Sequence, residues 1–143
     1  MASPFLRLTL RQGSVYYIQH RDVTSPEPHF LVVVNPDPLN DTVLVFGVVT
    51  SKVESRRKRI QLAGLPIETL VTISPSEYSE LCMESAIDCN HPKTLTINEL
   101  ENKIPTATKS CIDMPGDICQ QIFNGIKASP VVDEPIKRML GML

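Results

Sequence analysis

PHFLVVVNPDPLNDTVLVFGVVTS, residues 28–51, is the stretch on which the fold turns. Phe30 to Val34 form an unbroken apolar run between His29 and Asn35. It is too short for an ordinary helix and rich in valine, so it reads as a buried strand. Residues 42–51 form a second β-branched run, in which Gly47 suggests a bulge or a bend at a barrel corner. Between them, NPDPLND (35–41) is turn chemistry, with two prolines among Asn and Asp. Together they predict an antiparallel pair of strands.

Further strands are predicted on both sides. GSVYYIQH (13–20) is rich in Val, Tyr and Ile and opens on glycine. RIQLAG (59–64) alternates apolar and polar residues, ETLVTIS (68–74) does so less cleanly, and ESAIDCNH (84–91) reads as a short strand. Helices come later. SPSEYSELC (74–82) begins with a serine cap, Pro75 and Glu77, and TINELENKI (96–104) repeats the box with Thr96 and Glu99. Residues 116–129 put Ile118, Ile122, Phe123 and Ile126 on one helical face, and residues 133–143 align Ile136, Met139, Leu140 and Leu143. Early strands with tight turns predict a mainly β member of the α+β class. The expected form is a small, bent antiparallel barrel over about residues 10–92, with flanking helices and a helical C-terminal part over about 93–143. All 143 residues form one domain in this reading.

Hydrophobic residues make up 42% and charged residues 21%, an ordinary globular balance, and the absence of Trp leaves a core of Ile, Val and Leu. A net charge of -2 argues against non-specific coating of duplex DNA. The four cysteines, at 82, 89, 111 and 119, form no C-x-x-C pair and read as small buried hydrophobes with reduced thiols. The N-terminal MASPFLRLTL has no signal-type apolar core, and no stretch approaches a membrane helix, so a cytoplasmic protein is expected.

The strongest charge feature is SKVESRRKRI (51–60), where Arg56, Arg57, Lys58 and Arg59 run unbroken with Lys52 nearby. Placed in a hairpin loop, such a run is either a solvated loop or a phosphate-binding loop. Thr50 and Ser51 end the preceding strand and carry hydroxyls that can donate to a phosphate oxygen. His29 can exchange protons near neutral pH, as can His20 at the end of the first strand and His91 beside Asp88 and Cys89. The 88–91 segment is favoured as structural. No Walker, dinucleotide, zinc-protease or nucleophile-elbow motif is present. This leaves acid–base chemistry on a phosphodiester, or plain binding.

The order of segments resembles the PemK/MazF toxins of type II toxin–antitoxin systems. GSVYYI (13–18), PHFLVVVNPD (28–37), VLVFGVVTS (43–51) and TLVTISPSEYSELCMESAIDCN (69–90) carry the resemblance, and the helical end fits the PemK-like branch. The resemblance implies an SH3-like barrel and a homodimer neutralised by a cognate antitoxin protein. It implies cleavage of single-stranded RNA without metal or other cofactor, through attack of a ribose 2′-OH to leave 2′,3′-cyclic phosphate and 5′-OH ends. Thr50 and Ser51 match the family's phosphate-contacting Thr-Ser. At the second-strand match, where the family typically has an Arg-Pro with a catalytic arginine, this chain has Pro28-His29. Either His29 substitutes for that arginine as an acid or a cationic donor, or its role moves to the 56–59 cluster, or it is lost; Lys52, His20 and Arg56 to Arg59 are the residues expected on the RNA. The alternative is a non-catalytic module of the same fold that binds a protein target, as gyrase-poisoning toxins do, or a nucleic acid.

Overall fold

The two strands expected between residues 29 and 50 form and pair, and the rest of the sheet is assembled on them. The computed structural model describes residues 3–18, 29–103, 108–110 and 112–143. Its strands are β1 (Val15–Ile18), β2 (His29–Val33), β3 (Val43–Thr50), β4 (Leu70–Ile73), β5 (Ser85–Asp88), β6 (Lys93–Thr96) and β7 (Thr108–Lys109). Its helices are α1 (Pro4–Thr9), α2 (Val53–Leu62), α3 (Ile97–Lys103), α4 (Gly116–Ala128) and α5 (Glu134–Met139). The strand order is β4-β5-β3-β2-β1-β7, with β6 also on β3, and every pairing is antiparallel.

β3 is the hub. One side pairs with β2 through Leu31↔Val48, Val32↔Gly47 and Val33↔Phe46. The other pairs first with β6 over Val43–Phe46 and then with β5 at Val49 and Thr50. Gly47 lies where that side changes partner. A Cβ there would stand 3.0 Å from Ile87 Cγ2, so glycine lets β5 close on β3. The register with β2 runs through Gly47 unbroken, so the residue marks a change of partner and no bulge in that pair.

The turn between β2 and β3 is held by a side chain. Asn35 is fully buried. Its Nδ2 donates to Asp41 Oδ2 at 2.9 Å and to the Val43 carbonyl at 3.0 Å, and its Oδ1 accepts from the Val45 amide at 2.6 Å. The amide thereby pairs backbone groups that the turn pulls out of the ladder, which burial requires.

Both faces of the sheet are covered, which is why its central strands read as continuous apolar runs. Val15, Val32, Val34, Val45, Val49, Val71, Ile73 and Ile87 pack on one face with Ile118, Ile122 and Ile126 of α4 and Leu140 after α5. Tyr16, Ile18, Leu31, Val33, Leu44 and Phe46 pack on the other with Leu6 and Leu10 around α1 and Leu100 of α3. Each buried isoleucine of α4 contributes about 1.5–3 kcal/mol.

Several expectations are corrected. Residues 59–64 are not a strand: they continue and close α2, so the basic run lies on a helix and not in a hairpin loop. Glu, Arg, Lys, Gln and Leu are strong helix formers, and this intrinsic preference outweighs a short alternation. Residues 74–82 do not form a helix. The predicted box exists, with the Ser74 amide bonded to Glu77 Oε1 at 3.0 Å. It closes only a turn, because Ser76 and Ser79 propagate helix poorly and Tyr78 dives into the core to donate to Ser110 Oγ and the Ile112 carbonyl. The Thr96–Glu99 box does start α3.

The part beyond residue 92 is not wholly helical, since β6 and β7 return to the sheet. Among the described residues the helices contain more residues than the strands, so the α+β class is seen and a mainly β form is not. Among the described residues β4 and β7 are the two ends of an open sheet and do not pair, so the closed barrel is not seen. The C-terminal stripe is also cut short. α5 stops at Met139, Gly141 takes a φ of 76°, and Met142 packs on the core while Leu143 is exposed. Of the cysteines expected inside, Cys89 and Cys119 are buried and Cys82 is exposed, while Cys111 lies outside the described residues.

Candidate functional site

Strand alternation brings the predicted residues to one place. On β3 the side chains of Leu44 and Phe46 enter the core under α1 and α3, and Val48 packs against it. Thr50 continues that even-numbered series and so shares their face. On β2, Leu31 and Val33 define the same face, and His29 shares it. Continuing the β2–β3 register beyond Leu31↔Val48 sets His29 opposite Thr50. The two strand ends meet through His29 Nδ1, 3.2 Å from the carbonyl oxygen of Val49, the residue before Thr50.

α2 adds the charge. Ser51 and Lys52 link Thr50 directly to the helix, whose Val53 and Ile60 cluster with Leu70 of β4 and Ala86 of β5. Ala86 is the partner of Thr50 across β3–β5, so α2 lies on the face that carries His29 and Thr50. Only Val53 and Ile60 are buried in the helix, and apart from Leu62 at its end the remaining side chains are polar. Arg57 pairs with Glu54 one turn earlier. Lys52, Arg56, Lys58 and Arg59 form no ion pair with another described residue. Four cations without carboxylate partners beside two hydroxyls make a surface suited to a polyanion.

The hydroxyls are accessible. Ser51 is exposed and Thr50 is partly exposed. Thr50 Oγ1 accepts from the Lys52 amide at 3.2 Å, which leaves its own proton to donate. No side chain caps the start of α2, so its first-turn amides point out near the same hydroxyls.

His29 is turned inward. Its Nδ1 lies 3.2 Å from the Val49 carbonyl oxygen. A carbonyl only accepts, so the ring donates from Nδ1. The other nitrogen, Nε2, is buried and has no hydrogen-bond partner among the described residues. His20, expected on the phosphate, lies outside the described residues, as does Pro28.

The segment around His91 is structural. Asp88 Oδ1 accepts from the Asn90 amide at 3.0 Å and from its Nδ2 at 2.9 Å. Asn90 also donates to Thr69 Oγ1 and accepts from Ser129 Oγ at 2.6 Å, tying β5 to the end of α4. Burial pushes the Cys89 thiol up to about 12, which removes it as a nucleophile. His91 itself is exposed on the rim of a cleft of about 200 Å³ between residues 90–93 and 131–136, away from the Thr50 end. Among the described residues no three His, Cys, Asp or Glu side chains gather as a metal cluster.

Sequence reasoning missed that a helix presents the basic run. The available signal was the run of strong helix formers from Glu54 to Leu62. It also missed Thr72 on β4, which the pairings Thr50↔Ala86 and Ala86↔Thr72 place in the same cross-strand row. No family model matches the chain, and no curated protein matches it.

Proposed function

We propose that the chain is a toxin-type endoribonuclease of the PemK/MazF-like kind, which binds single-stranded RNA over the end of the sheet and cleaves it without metal. One observation supports this reading: Thr50 and the basic helix α2 share one face at the end of β3, Ser51 joins them, and His29 reaches the neighbouring Val49 carbonyl. The bent sheet, with β3 shared between two sets of partners, is read as an SH3-like barrel left open.

In this reading the scissile phosphate lies at Thr50 and Ser51, whose hydroxyls donate to its non-bridging oxygens. Arg56 and Arg59 offset the charge that grows there as the 2′-oxygen attacks. The new bond joins the 2′-oxygen to phosphorus and the broken bond releases the 5′-oxygen. The proton leaves the 2′-OH to a base, and the 5′-oxygen takes one from an acid. Arginine does not serve as the base, since it does not deprotonate in proteins. His29 is the acid–base candidate at this end of the sheet, and it takes part only if its ring turns to expose Nε2. The reading carries with it a homodimer and a cognate antitoxin protein.

A second reading, binding without cleavage of a nucleic acid or a protein target, is favoured by the inward ring of His29. Incubation with mixed-sequence single-stranded RNA in EDTA, with the new ends mapped, separates the two. Cyclic phosphate and 5′-OH ends that disappear in Thr50→Ala and His29→Ala support the enzyme. RNA intact at stoichiometric protein, with complexes retained, supports the binder. No metal-spanning step enters either reading, and no described helix is long and apolar enough to cross a membrane.

A further inference from the structure

We draw no further inference here: the strongest candidate, the cleft between residues 90–93 and 131–136, is bordered by the exposed side chains of His91 and Asp133, while the buried Asn90 amide behind them is already spent on Asp88, Thr69 and Ser129, so nothing in the structure shows what would occupy it.

Discussion

The charge on α2 makes a quantitative prediction about salt. Lys52, Arg56, Lys58 and Arg59 carry no carboxylate partner among the described residues, whereas Arg57 is engaged by Glu54. If all four neutralise phosphates on a single strand, log K falls against log salt with a slope of about -3. Affinity then drops about 50-fold between 50 and 200 mM salt. The perturbation is Arg56→Gln, Lys58→Gln and Arg59→Gln together. Glutamine is as good a helix former as lysine or arginine, so the helix persists while three charges go. The slope should fall to about -0.7, and the same salt change should cost less than about 3-fold. The assay is anisotropy titration of a labelled single-stranded RNA in EDTA at four salt concentrations, with circular dichroism confirming the helix. A variant with intact helix content and the wild-type slope refutes the reasoning, because the contacts would then lie elsewhere.

Three further predictions concern the scaffold. Asn35→Ala strands the Val45 amide and the Val43 carbonyl inside the sheet, so urea unfolding should show a loss of about 2–4 kcal/mol at unchanged m-value, and a loss under 0.5 kcal/mol would sink the account of the turn. Gly125→Ala would place a Cβ 2.7 Å from Cys89 Sγ and 3.0 Å from the Glu68 carbonyl oxygen, destabilising by about 1–3 kcal/mol. Cys89→Ala should rescue part of that loss, and additive effects in the double variant would contradict the contact. Burial raises Cys89 from 9.0 to about 12 and Tyr16 from 10.0 to about 12. Groups that hold their protons more tightly when folded stabilise fully below their unfolded values, and that contribution drains away as pH climbs toward the folded ones. The urea midpoint should thus decline between pH 9 and 11, less steeply in Cys89→Ala, and a flat profile would count against the buried thiol.

The sheet was legible where burial is two-sided. Residues 30–34 and 43–49 announce themselves because both faces of β2 and β3 are covered there, so apart from Gly47 these positions carry apolar side chains. α4 was equally plain, since three isoleucines repeat at the helical period against one core. α2 was hidden for the opposite reason. Its contact with the sheet is two residues seven apart, Val53 and Ile60, too narrow a stripe to set a period. The strands β6 and β7 were invisible because each is short and owes its form to a partner far along the chain, Lys93–Thr96 to β3 and Thr108–Lys109 to β1. At the candidate site, residue types were readable while their geometry was not. Thr50 and Ser51 drew notice as hydroxyls at a strand end. That His29 spends Nδ1 on the Val49 carbonyl depends on strand register, which composition does not encode.

β3 divides its outer side between two strands that lie about forty and fifty residues further along the chain. Neither β5 nor β6 can find its full ladder until β3 is in place, and both depend on the same backbone. Such a strand ties the two parts of the sheet into one cooperative unit, so opening one part removes support from the other. Its long-range pairings also make assembly slow relative to a helical chain of this size, because each loop must close before it is rewarded. The amides of Val45 and Val49 should be among the last to exchange with deuterium, and at a rate set by unfolding of the whole domain.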